Sequence, residues 1–155
     1  MGTDSTDDVY GDIEVQAAVL TRNFELLRRR RSQQLEVDRA EYLMLRTLDV
    51  LSAPSIGDLA EALGLDPSTV GRQVTTLTDA GWAGRLVDPA DRRRMIVQIT
   101  PAGRAAMRRT SEERRRRTQD LLADWNRDDL ETLARMFSRY NAEVARHHLG
   151  REPDS

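Results

Sequence analysis

Between Ser55 and Thr100 this chain starts and stops its local structure at short, regular intervals, and those signals leave few folds open. Ser55, with Asp58 three residues on, forms a capping-box-like pair ahead of Ile56, Leu59, Ala60 and Leu63. That is a short helix with one apolar stripe, and Gly64 ends it. Asp66-Pro67 opens the next helix, because proline at the first helical position forfeits an N–H that has no intrahelical partner. It runs to about Ala80 and stops at Gly81. Residues 84–87 and 95–99 read as strands around the charged loop Asp88-Pro89-Ala90-Asp91-Arg92-Arg93. Thr100-Pro101 then repeats the cap-plus-proline start.

Helix, tight turn, helix, strand, loop, strand is the layout of a winged helix-turn-helix. The expected fold class is mainly α (α+β), with further helices on either side. Upstream, Ile13, Ala17, Leu20, Phe24 and Leu27 recur at steps of four and three, one stripe on a helix ending near Arg31. The arginines at 28–31 would complement the dipole at its C-terminus. Asp38 can cap a helix to about Leu51, with Tyr42, Leu45 and Leu48 inward, Glu41 and Arg46 outward, and Ser52-Ala53-Pro54 as its break. Downstream, an arginine-rich helix reaches about Trp125. Asn126 or Asp128 caps a last helix whose stripe is Leu130, Leu133, Phe137, Tyr140 and Val144, ending near His148. The organisation predicted is an acidic disordered tail (1–12), a helical dimerisation region (13–35 and 101–148) and a winged helix-turn-helix DNA-binding domain (36–100). The two terminal stripes have no partner in so small a core, so the expected assembly is an obligate homodimer.

Net charge is −2, yet charge is unevenly spread. Residues 1–14 carry Asp4, Asp7, Asp8, Asp12 and Glu14 with no arginine, a local −5; residues 104–117 carry seven arginines against Glu112 and Glu113, 7 − 2 = +5. Overall acidity is therefore no argument against a nucleic-acid partner. With 0 cysteines, disulfides and thiol-based redox sensing are excluded. No apolar run approaches a membrane span and the N-terminus is acidic, so no membrane partner is expected and the cytoplasm is the default location. His147 and His148 stand adjacent with no nucleophile elbow or phosphate loop, which argues against an enzyme. Glu143 and His147 could donate two metal ligands from one helical face, but the pair reads as a helix-end histidine beside a glutamate. No catalytic residue, metal or cofactor is expected.

On the helix after Asp66, steps of 100° put Val70, Val74 and Leu77 on one side. Ser68, Arg72, Thr75 and Thr76 fall on the other, with Thr69 and Gln73 on the flanks. Short polar side chains let such a helix lie deep in a major groove, and Gly71 removes bulk. Arg72 can contact a guanine edge with both arms of its fork, and Gln73 can pair with adenine. Ser68 and Thr69 stand at the helix N-terminus, where phosphates bind. In the hairpin loop, Arg92, Arg93 and Arg94 follow Asp88 and Asp91. An arginine at such a tip can enter the narrow minor groove, and Asp91 could hold it in register. The predicted site is therefore Ser68, Thr69, Arg72, Gln73, Thr75 and Thr76 on the helix, with Asp91, Arg92, Arg93 and Arg94 on the wing. The arginines at 114–117 cover every face of their helix and read as a solvated surface. A winged helix used for protein contact, without its own operator, is the alternative function.

Several of these stretches together resemble the MarR family of bacterial transcription regulators. They are Asp38-Arg39-Ala40-Glu41-Tyr42-Leu43-Met44-Leu45-Arg46-Thr47-Leu48, Asp58-Leu59-Ala60-Glu61-Ala62-Leu63-Gly64, Ser68-Thr69-Val70 with Arg72, and Asp79-Ala80-Gly81-Trp82. The wing Asp88-Pro89-Ala90-Asp91-Arg92-Arg93 and the Thr-Pro-x-Gly run ending at Gly103 are the most specific. The resemblance covers roughly residues 13 to 148. It implies a homodimer built on its terminal helices, docking on double-stranded DNA at a pseudo-palindromic operator. It also implies a repressor released by a small aromatic or phenolic effector. Carried over by position, Ser68, Thr69, Arg72 and Thr75 would touch the major groove or phosphates, and Arg93, supported by Asp91, the minor groove. Trp82 replaces a usual aliphatic residue and Gly71 a bulkier polar one, which puts a base contact at position 71 in doubt. Lack of cysteine excludes the oxidant-sensing branch.

Overall fold

Capping side chains set where most of the helices begin. The computed structural model describes the backbone of residues 5–31 and 36–148 and the side chains of 8–27 and 36–147. The chain divides into two units, Met1–Asp38 and Arg39–Ser155.

The first unit contains helix α1 (Ser5–Arg31). It starts about two turns before the expected Ile13, so residues 5–12 are helical and not a disordered tail. Asp8 falls in its first turn, where a carboxylate is favoured by the positive end of the helix dipole. Residues 1–4 lie outside the described residues, as do the side chains of the arginines at 28–31. Ile13, Phe24 and Leu27 of the expected stripe are exposed.

The second unit runs α2 (Arg39–Leu51), α3 (Ile56–Leu63), α4 (Pro67–Asp79), β1 (Ala83–Val87), β2 (Met95–Ile99), α5 (Pro101–Leu121) and α6 (Arg127–His148). Helix α2 buries Met44, Leu45 and Leu48. It ends where Ser52 and Ala53 take positive φ (51° and 72°) before Pro54. Ser55 then caps α3 reciprocally: its hydroxyl accepts the Asp58 N–H at 3.1 Å, and the Asp58 carboxylate accepts the Ser55 N–H at 2.8 Å. Gly64, at φ 65°, closes α3 in the left-handed conformation that glycine adopts without penalty.

Strands β1 and β2 pair antiparallel, with Ala83 opposite Ile99 and Val87 opposite Met95. The Val97 N–H donates to the Pro54 carbonyl at 2.8 Å, tying the hairpin to the segment ahead of α3. Leu59, Ala60, Val70, Val74, Leu77, Ala83, Ile96, Val97, Ile99, Ala106 and Met107 complete the core with the α2 residues.

The Thr-Pro-x-Gly run has a steric origin. Thr100 caps α5 by accepting the Gly103 N–H at 3.0 Å, while its hydroxyl donates to the Gly81 carbonyl at 2.7 Å. That draws α5 onto the turn after α4 so closely that a Cβ on Gly103 would lie 2.1 Å from the Trp82 carbonyl oxygen. Helix α5 ends at Leu121, short of the expected Trp125. Beyond it the chain turns through a Trp125 N–H to Leu122 carbonyl bond at 3.0 Å. Asn126, not Asp128, caps α6, accepting the Asp129 N–H at 2.9 Å.

Candidate functional site

Helix α4 is anchored from one side and presented from the other. Val70, Val74 and Leu77 are wholly buried against α2, α3 and β1. Ser68, Arg72, Thr75 and Thr76 are exposed, and Thr69 and Gln73 half-buried on the flanks, as the helical spacing predicts. The polar face is organised from Asp66, whose carboxylate accepts the Thr69 N–H at 2.9 Å and both the Ser68 and Thr69 hydroxyls. Those donors hold the Asp66 carboxyl far below the usual carboxylate range, the Ser68 hydroxyl most strongly. One arm of Arg72 donates to the Thr69 hydroxyl at 3.1 Å, so a relay runs from Arg72 through Thr69 to Asp66. Ser68 and Thr69 thus already spend their hydroxyl protons within the protein. The phosphate contact expected of them requires a change of partner.

Farther along, the Thr75 hydroxyl donates to the Gly71 carbonyl at 2.9 Å, and that of Thr76 to the Arg72 carbonyl at 3.2 Å. Such back-bonding spends the donor protons of both hydroxyls on the helix's own backbone. A shallow depression of about 450 Å³ on this face is lined by Ser68, Gly71, Arg72, Thr75 and Arg85.

Arg85 was not among the residues expected here. It stands on β1, and its guanidinium donates to the Gly71 carbonyl at 3.1 Å and the Thr75 hydroxyl at 2.8 Å. Strand alternation offered the signal: Arg85 lies two residues beyond the buried Ala83, on the same face of β1.

In the wing, the Asp88 N–H donates to the Arg94 carbonyl and the Arg94 N–H to the Asp91 carbonyl, each at 2.9 Å. Asp91 does stabilise the turn, but by accepting the Arg93 backbone N–H at 3.0 Å and not through a guanidinium pair. Arg92 and Arg93 are exposed at the tip. Arg94, expected beside them as a DNA contact, is also exposed, but its guanidinium is engaged with carboxylates of the protein. It pairs with Asp58 of the α3 capping box and approaches Asp88 at 4.0 Å. The wing is therefore tied back to the first helix of the helix-turn-helix. Ser55, through its N–H and hydroxyl, and then Arg94 lower the Asp58 pKa.

Elsewhere, His147 lies 3.6 Å from Glu143. Among the described residues no group of three or more His, Cys, Asp or Glu side chains gathers as a metal site, and no helix is long and apolar enough to cross a membrane.

The chain and its fold are similar to those of known proteins. A family model described as MarR family matches residues 37–95. The HTH-type transcriptional regulator YxaD of Bacillus subtilis (strain 168) is 28% identical over 129 residues, 83% of this chain and 90% of that protein. A MarR family protein from Bacillus stearothermophilus superposes with a TM-score of 0.75 at 15% identity, covering 90% of this chain and 97% of that one. A mutant MarR from E. coli complexed with operator DNA superposes with a TM-score of 0.66 at 20% identity, covering 89% and 99%.

Proposed function

We propose that this chain, whose residues 37–95 match the MarR family model, is a transcriptional regulator of that family that binds duplex DNA in a sequence-specific manner as a homodimer and acts as a ligand-released repressor. The observation that carries the reading is the outward face of α4, where Arg72 and three short hydroxyl residues stand exposed above a fully buried apolar side. Arg72 is the base-reading group, contacting a guanine edge, with Gln73, Thr75 and Thr76 beside it. Arg92 and Arg93 at the wing tip enter the neighbouring minor groove. Arg94, paired with Asp58, and Asp91, accepting the Arg93 N–H, shape that wing. Ser68 and Thr69 reach phosphates after exchanging Asp66 for the backbone of the DNA.

The homodimer is supported by apolar side chains that the single chain leaves in solvent. On α6, Phe137 is 41% and Tyr140 52% exposed. On α1, Tyr10 is 67% and Ile13 49% exposed. Two copies would present paired α4 helices to half-sites about one helical turn apart, roughly 10 bp. Release by a small aromatic or phenolic effector is supported at the α2–α5 contact. There the Arg114 guanidinium lies 4.6 Å from the centre of the Tyr42 ring, and the buried Thr110 hydroxyl, one turn earlier on α5, has no hydrogen-bond partner among the described residues. The site of action would be the cytoplasm.

A gel shift against the DNA upstream of its own gene, at two salt concentrations and with scrambled competitor, tests the reading. Retention of one duplex over competitor, weakening steeply as salt rises, is expected because neutralised phosphates release counterions. No preference for any duplex would overturn it. Addition of a panel of phenolic acids should free the DNA.

A further inference from the structure

We propose that Arg85 grips the sugar-phosphate strand that separates the major groove from the minor groove. The inference rests on the DNA-binding reading above and adds to it a residue and a role. Strand β1 leads directly from the end of α4 into the wing. If α4 lies in the major groove and the wing tip in the adjoining minor groove, one strand of phosphates must pass between them. Arg85 is the cation set between those two elements, exposed, on the α4 side of β1.

Its conformation is set in advance. One amino group of the fork is fixed by the Gly71 carbonyl and the Thr75 hydroxyl. A guanidinium carries five N–H donors, so two bonds to the helix orient the group without exhausting it. Fixing a long side chain before the partner arrives removes the ordering cost from binding. Arg72, by contrast, is drawn toward the α4 N-terminus by Thr69. The two arginines therefore divide the work: Arg72 reads a base, and Arg85 supplies charge and register that are blind to sequence.

The experiment compares the full-length protein with Arg85→Ala, Arg85→Lys and Arg72→Ala, titrated onto the duplex the unmodified protein prefers and onto a scrambled duplex. Salt is varied between about 50 and 200 mM. Arg85→Ala should weaken binding to both duplexes by the same factor and lower the slope of log K against log salt by about 0.9 per protomer. Arg85→Lys, which keeps the charge, should retain the slope. Arg72→Ala should instead erode the preference between the duplexes. An unchanged slope in Arg85→Ala, with or without a lower melting temperature, would make Arg85 a strut between β1 and α4 and overturn the proposal. So would a loss confined to the preferred duplex, which would make it a base reader. Failure of the unmodified protein to bind any duplex would overturn the DNA-binding reading itself, an outcome distinct from both.

Discussion

Helices α4 and α6 carry apolar residues at the same helical spacing and dispose of them in opposite ways. On α4, Val70, Val74 and Leu77 are each 0% exposed. On α6, Phe137, Tyr140 and Val144 remain 41%, 52% and 38% exposed. Their polar sides differ as well. That of α4 is short hydroxyls and a lone arginine, while α6 pairs its own charges, Arg127 with Glu131 at 2.7 Å. A helix whose apolar side is satisfied within its own chain can offer the other side to a ligand. A helix whose apolar side is unsatisfied must complete it against something else. Under the proposed function the same periodicity serves DNA reading in one place and self-association in the other, and burial distinguishes the two helices.

The contrast can be broken most severely from the α4 side. Leu77→Ala removes a side chain with no solvent exposure and should cost about 2–5 kcal/mol of unfolding free energy, read by denaturant titration. Phe137→Glu should leave the single chain folded, with unchanged far-UV circular dichroism, but halve the mass seen by light scattering. It should also remove any dependence of melting temperature on protein concentration. A dimeric mass for that variant would detach α6 from the interface. Arg72→Ala touches neither the buried core nor the exposed apolar residues of α6. It should cost about 1–3 kcal/mol in binding to the preferred duplex and relax preference at one position per half-site.

Much of this contrast was legible in the residues because its causes are local. Ser55, Asp66 and Thr100 each act on an N–H three residues away, so the starts of α3, α4 and α5 could be read directly. The seating of Val70, Val74 and Leu77 follows from periodicity alone. Where the cause is distant or unpunctuated, the reading stopped. The early start of α1 looked like a polar tail because the acidic residues that favour it are also those of disordered chains. The end of α5 at Leu121 has neither glycine nor proline to mark it. Arg94 appeared as one of three wing arginines, yet its partner Asp58 lies 36 positions away in sequence; Arg85 crosses 14 positions to reach Gly71. Partner choice among identical arginines is a tertiary property, set by which carboxylate or carbonyl the fold brings alongside.

The smallest expected effect separates the two helical regions by pH. Asp58, held below the ordinary aspartate range by the Ser55 N–H and hydroxyl and by Arg94, caps α3; Asp66, likewise lowered, caps α4. Asn126 caps α6 with a carboxamide oxygen, which has no proton to gain in this range. A carboxyl whose pKa is lower folded than unfolded contributes stability in full above its unfolded value, about 4, and loses it as pH falls toward the folded one. Acid should therefore loosen α3 and α4, and with them the exposed polar face of α4, before it touches the α6 cap. Thermal melts between pH 7 and about 3 should show a falling limb below about 4 that is shallower in Asp58→Asn, because that variant has already lost the titrating charge. Ser55→Ala, which removes the other half of the box, should cost about 0.5–2 kcal/mol at neutral pH. If Asp58→Asn keeps the full acid limb, Asp66 and other carboxylates carry the pH response, and the α3 cap is not where acid first divides the molecule.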